Sequence, residues 1–166
     1  MNRTILGIIL IVFSMNSLSA VSSDERPRIN IKGSFNIIGG FLNAFVDMKV
    51  NRVISAGSIL GYSTYTLRHF VVGIGTNVKL DDKDIMTTNG LYLNPYYTYS
   101  SGKLVYCGGF CLENRSNNTV GLILGHQWIA KSKLNFRLGI GVQYNFENFL
   151  GMHFLPDFSM TFGYAF

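Results

Sequence analysis

The chain has 166 residues and a formal net charge of +5, and only 14% of it is charged, against a norm of about 25% for soluble domains. The cations are scattered rather than blocked, which leaves a nucleic-acid surface without support. Beyond the N-terminal segment no apolar run reaches the roughly 18 residues of a transmembrane helix. A chain that is hydrophobic overall but never continuously so is what alternating barrel strands produce.

Residues 1–20 read as a secretory signal peptide. Arg3 supplies the positive region, residues 5–15 the apolar core, and Ser17, Ser19, Ala20 and Ser22 the small residues that follow. Cleavage after Ala20 is tolerable, and cleavage after Ser22 places Ala20 at the −3 position, a better fit. The rival is an uncleaved anchor, but the apolar run is short for a span of about 20 residues. Residues 21–28 form a short disordered lead with Pro27. Residues 29–166 are one domain, within the roughly 145 residues that remain after cleavage.

Within that domain the alternation predicts eight strands. In the first, Ile29, Ile31, Phe35 and Ile37 share a face against Lys32, Ser34 and Asn36. Gly39 and Gly40 are a turn signal. The second sets Leu42, Ala44, Val46, Met48 and Val50 against Asn43, Phe45, Asp47 and Lys49, and a tight turn follows at Asn51 and Arg52. The third covers 53–65, with a connection at 66–69. The fourth carries Phe70, Val72, Ile74, Val78 and Leu80, and residues 81–89 are a polar loop. The fifth carries Leu91, Leu93, Tyr97 and Tyr99. Pro95 sits awkwardly within it, since proline removes a ladder donor, and a bulge is expected near Ser101 and Gly102.

Residues 107–118 are an Asn- and Gly-rich loop, and 119–129 are the sixth strand, with Trp128. Lys131 and Ser132 turn into the seventh, where Leu134, Phe136, Leu138, Ile140, Val142, Tyr144 and Phe146 alternate most clearly. After a loop at 147–155, the last strand puts Phe158, Met160, Phe162, Tyr164 and Phe166 on one face. Asp157, Ser159, Thr161, Gly163 and Ala165 take the other. Counting 103–112 as a separate strand would give nine, but a single-chain bacterial barrel has an even number. Short turns belong on the periplasmic side, so 51–52, 81–89 and 131–132 lie there with both termini. The 81–89 loop is long for that side.

The fold class is therefore all-β, an eight-stranded antiparallel transmembrane barrel. Its inner faces would carry Lys32, Asn36, Asn43, Asp47, Lys49, Asn77, Lys79, Asn94, Asn135, Arg137, Gln143 and Asn145. Buried charges need partners, so Asp47 is expected to be the hub for Arg137 or Lys49. A polar core of this kind plugs an eight-stranded barrel; the sharper alternative is a narrow anion-preferring path. Tyr62, Tyr97, Tyr99, Trp128, Tyr144, Tyr164 and Phe166 suit interfacial girdles. Alternation alone also fits a soluble lipocalin-like binder with its apolar face turned inward. Polar faces so poor in charge are odd for a water-facing surface.

Cys107 and Cys111, with two glycines between them, suggest a local disulfide in an exported chain; free thiols stay open. A metal site lacks His or acidic partners at ligand spacing, and nothing points to a cofactor. Ser159, His153 and Glu147 could be imagined as a hydrolytic set, but Glu147 and His153 fall in a predicted loop. His69 and His126 read as rim and packing residues.

The signal segment, the alternating strands and the final Phe158-x-Met160-x-Phe162-x-Tyr164-x-Phe166 together resemble small bacterial outer-membrane β-barrel proteins of the OmpA/OmpX/OmpW-like group. The stretches 45–52 and 121–128 resemble poorly characterised members of it. The resemblance implies residence in the Gram-negative outer membrane after export. It implies outer-membrane lipid as surroundings, and the C-terminal aromatic pattern as the signal read by the outer-membrane assembly machinery. For activity the resemblance is unspecific; the role expected is non-catalytic, structural, adhesion or surface-interaction, with the 107–118 loop as the place where an extracellular ligand would be engaged. A small-solute channel and a lipid A-modifying enzyme, a hydrolase or acyltransferase, are the alternatives.

Overall fold

The computed structural model describes residues 28–36, 41–63, 67–105, 112–149 and 152–166. The signal segment, the lead up to Pro27, and Cys107 and Cys111 lie outside the described residues. The rest forms eight strands: β1 (Ile29–Asn36), β2 (Phe41–Lys49), β3 (Ile54–Ser63), β4 (Leu67–Lys79), β5 (Gly90–Val105), β6 (Leu112–Ile129), β7 (Leu134–Phe149) and β8 (Met152–Ala165). Each pairs antiparallel with its neighbours in sequence, and β1 pairs with β8, so the sheet is a closed barrel. Closure removes both free edges, and with them the rows of unpaired backbone groups that an open sheet would present.

The turns at the end holding both termini are built locally. Asn51 Oδ1 accepts from the amides of Val53 (2.9 Å) and Ile54 (2.8 Å), which explains the tight reversal after β2. Lys133 adopts φ 65° to close the β6–β7 turn, and its amide donates to Ala130 O at 2.9 Å. The opposite end differs from expectation. β4 starts at Leu67, so His69 lies in a strand and not in a connection. β6 starts at Leu112, so the second half of the expected 107–118 loop pairs with β5. β7 runs to Phe149 and β8 begins at Met152, which puts Glu147 and His153 in strands. No bulge occurs near Ser101: β5 keeps one register with β6 from Gly90 to Val105. The irregularity lies between β7 and β8, from Tyr144 to Phe149. Pro95 is accommodated by its neighbour. The register places it opposite Thr76, whose carbonyl accepts the side-chain amide of Asn94 at 2.8 Å.

Burial is inverted relative to a water-soluble barrel. Outward side chains are apolar and exposed, including Ile31, Leu60, Ile74, Leu122, Ile140, Val142 and Phe162. Inward side chains are polar and buried: Asn30, Lys32, Asp47, Ser55, Asn77, Lys79, Gln127, Asn135, Arg137, Asn145 and Asp157. A soluble binder with an apolar cavity would need the reverse. Glycines let the filling side chains approach the wall. A Cβ on Gly121 would stand 2.2 Å from the Tyr96 ring, and one on Gly125 would stand 2.6 Å from the Tyr92 hydroxyl.

Candidate functional site

Three groups of side chains fill the interior. The central group joins β1, β2, β3, β4, β5 and β7. Lys32 Nζ donates to Asp47 Oδ2, and Asn77 Nδ2 donates to the same oxygen at 3.0 Å and lies 3.3 Å from Ser55 Oγ. Asn77 Oδ1 accepts from Arg137 Nη1 at 2.7 Å, and the guanidinium lies over the Tyr92 ring at 4.9 Å. Asp47, Lys32, Asn77 and Arg137 are all at or below 4% exposure. The wiring differs from the expected one, in which Asp47 holds Arg137 or Lys49. Asp47 holds Lys32 directly, and Arg137 reaches it only through Asn77. Lys49 is not part of the group. The reason is register: Lys32 sits on the strand beside Asp47, while Lys49 lies two residues further along β2, nearer the turn end.

Lys49 instead donates to Asp84 in the β4–β5 turn. That turn folds into the barrel mouth as a floor, with Ile85 and Met86 fully buried. The wall holds it from several sides. Lys79 Nζ donates to the carbonyls of Thr88 and Asn89 (2.7 Å to Asn89) and lies 2.8 Å from Thr88 Oγ1. Gln127 Nε2 donates to the carbonyls of Ile85 (2.9 Å) and Thr88 (2.8 Å). Ile85 N donates to Arg52 O at 2.9 Å, and Ile129 N to Asn89 Oδ1 at 2.6 Å. The length of this turn is explained by its folding back to fill the mouth.

Toward the other end, Tyr96 donates to Asp157 Oδ2 at 2.6 Å, with Gln143 Oε1 3.2 Å from the same hydroxyl. Asp157 is thus a buried interior residue. Beyond it Thr119 Oγ1 and Asn117 Nδ2 donate to Asn145 Oδ1, at 2.7 and 2.9 Å. Among the described residues, some interior polar atoms have no hydrogen-bond partner: both amide atoms of Asn30 and of Asn135, and Nε and Nη2 of Arg137. Asn30 and Asn135 sit on the strands flanking β8, and the register carries Asn135 to Gly163, beside which Asn30 also lies.

The imagined hydrolytic set is not assembled. His153 is engaged by Asn145 O at 2.9 Å through Nδ1 and stacks on Tyr144. Ser159 lies on the same strand roughly 20 Å further along at about 3.3 Å per residue, and Glu147 is exposed on β7. Among the described residues no group of three or more His, Cys, Asp or Glu side chains could hold a metal ion. The C-terminal aromatic face lies outward on β8, with Phe158, Phe162, Tyr164 and Phe166 exposed and Met160 half-buried. Trp128, Phe136 and Phe162 stack across three strands at the turn end, at 5.4 and 4.8 Å. Tyr62, Tyr97 and Tyr99 are exposed on the same outer surface toward the opposite end, where Tyr144 is half-buried. His126 packs on Trp128 at 4.4 Å.

Sequence reasoning missed the role of Tyr96 and those of Lys32 and Asn77, although alternation had turned the latter two inward. It missed Asp84 and Gln127 in the floor because a buried turn has no periodic signature.

No protein-family model matches this sequence, nor does any curated protein. Among solved structures, the chain is similar to the N-terminal β-barrel domain of Pseudomonas aeruginosa OprF. The TM-score is 0.63 at 8% identity, over 84% of this chain and 96% of that one. The likeness is one of fold, a β-barrel that in this chain is closed, eight-stranded and antiparallel.

Proposed function

We propose that the protein is a non-conducting outer-membrane barrel with a structural or surface-interaction role. The observation that carries this reading is the inverted burial, apolar outside and charged inside. In a bilayer every backbone polar group must be satisfied within the protein, and a closed barrel does this. β1, β2 and β3 have 8, 9 and 10 residues, about the length a tilted strand needs to cross the hydrocarbon. β5, β6 and β7, with 16, 18 and 16 residues, overrun that thickness and carry their upper connections beyond it. Those connections are where an extracellular ligand would be met. The outward aromatic face of β8 is the segment the assembly machinery would read.

The interior argues against the channel alternative. The Lys32–Asp47–Asn77–Arg137 group joins strands from opposite sides of the barrel, and the β4–β5 turn floors the mouth. Fractionation with heat-modifiability on a gel tests the proposal. An outer-membrane band that changes mobility on boiling supports it; a soluble, unshifted protein overturns it. Discrete conductance steps in planar bilayers would refute the non-conducting part alone.

A further inference from the structure

We infer that the turn end of the barrel is a collar for anionic phospholipid headgroups; this rests on the membrane reading above. Every connection described at that end exposes a cation. Arg28 precedes β1, Arg52 lies in the β2–β3 turn, Lys83 in the β4–β5 turn, and Lys131 and Lys133 in the β6–β7 turn. Because β1 to β8 follow one another around the barrel, these cations are spread around its whole rim. The exposed acids described there, Asp81 and Asp82, share one turn, and Asp81 lies 3.9 Å from both Lys79 and Lys83.

A second observation sets the depth of this ring. Each cation is within three residues of an exposed apolar side chain on the outer surface: Ile29 beside Arg28, Val50 near Arg52, Leu80 near Lys83, and Leu134 beside Lys133. Trp128, Tyr164 and Phe166 are exposed at the same end. Aromatic rings of this kind settle at the membrane–water boundary. Long basic side chains next to them reach their charge to the phosphates while their stems stay against apolar surface. The backbone holds the ring in place: Arg28 N donates to Phe166 O at 2.8 Å, Ile85 N to Arg52 O at 2.9 Å, and Ala165 N to Lys133 O at 3.1 Å. β1 starts and β8 ends here, and β5, β6 and β7 overrun the bilayer at the opposite end, which fits the periplasmic end, so the partner is the anionic glycerophospholipid of the facing leaflet.

Trp128 reports on this collar, being the sole tryptophan of the chain and outward beside the Lys131–Lys133 turn. The full chain is reconstituted in phosphatidylcholine vesicles containing a rising fraction of brominated phosphatidylglycerol or brominated phosphatidylcholine, and Trp128 quenching is followed. The expected result at low salt is association of the anionic lipid roughly five-fold tighter, the scale of one cation near a charged surface. The preference disappears at about 1 M salt, where the screening length is about 3 Å. It is also lost in Lys131→Gln/Lys133→Gln and kept in Lys131→Arg/Lys133→Arg. Equal quenching by the two lipids in the unmodified protein at low salt overturns the inference, as does a preference that high salt leaves intact. Quenching by neither lipid places Trp128 outside the bilayer and overturns the membrane reading with it.

Discussion

Removing the Asp47 carboxylate should damage this barrel more than removing the lysine it binds. Asp47 is 2% exposed and accepts from Lys32 and from Asn77. Asp47→Ala leaves the Lys32 ammonium, itself 4% exposed, without a counter-charge. It also leaves Lys32 and Arg137 as like charges in one enclosed group. Breaking a buried pair from one side costs about 3–5 kcal/mol, and the lost Asn77 bond adds about 1 kcal/mol. Lys32→Met removes the other partner, but Asp47 then keeps Asn77 and the field of Arg137, an attraction that survives. The loss should be about half as large. The double variant Asp47→Leu/Lys32→Met should fall between the singles, because Arg137 then lacks its nearest acid while no unpaired lysine remains. The assay is urea unfolding in phospholipid vesicles, with the folded fraction read from heat-modifiable mobility. A loss below about 1 kcal/mol for Asp47→Ala, or a larger loss for Lys32→Met, would refute the argument.

Four further outcomes follow from the same interior. Met86→Ala should cost about 2–5 kcal/mol in the same unfolding assay, as expected for a fully buried methionine, because the floor is packed core rather than a solvent-side turn. Gly125→Ala should cost about 1–3 kcal/mol, since its Cβ would stand 2.4 Å from the Leu138 carbonyl oxygen and 2.6 Å from the Tyr92 hydroxyl; a neutral result would mean that both the β7 backbone and Tyr92 give way. Asn135→Leu should be neutral or stabilising, up to about 1–3 kcal/mol, because neither amide atom has a partner among the described residues; a clear loss would show that the amide is satisfied by another group. Exchanging residues 82–88 for Asn-Gly should destabilise the barrel yet leave planar bilayers silent, because the Asp47 group still crosses the interior.

Much of the fold was legible because a barrel wall imposes a period of two wherever one face meets lipid and the other a polar interior. Leu134 to Phe146 and Phe158 to Phe166 show that period without interruption, and both are strands. The rule fades toward the end of the wall away from the described turns. Residues 112–118 and 147–149 have polar side chains on both faces, and they read as loops although they are paired or extended. Pro95 looked like a break because its remedy, the Asn94 amide on Thr76 O, depends on a strand neighbour rather than on local sequence.

The sequence by itself determined the strand number, which side chains share a face of the wall and the placing of the short turns. These are local or nearest-neighbour properties, set by alternation, by turn residues such as Asn51 and by the parity of a closed sheet. Which interior groups meet was decided only by the tertiary structure. Asp47 pairs with Lys32 and not Lys49 because partners across strands depend on register. Lys49 is taken by Asp84 because a turn that looked like a surface loop folds back into the mouth. Alternation states that a side chain points inward; only the stagger of the strands around the closed barrel states at what height, and height chooses the partner.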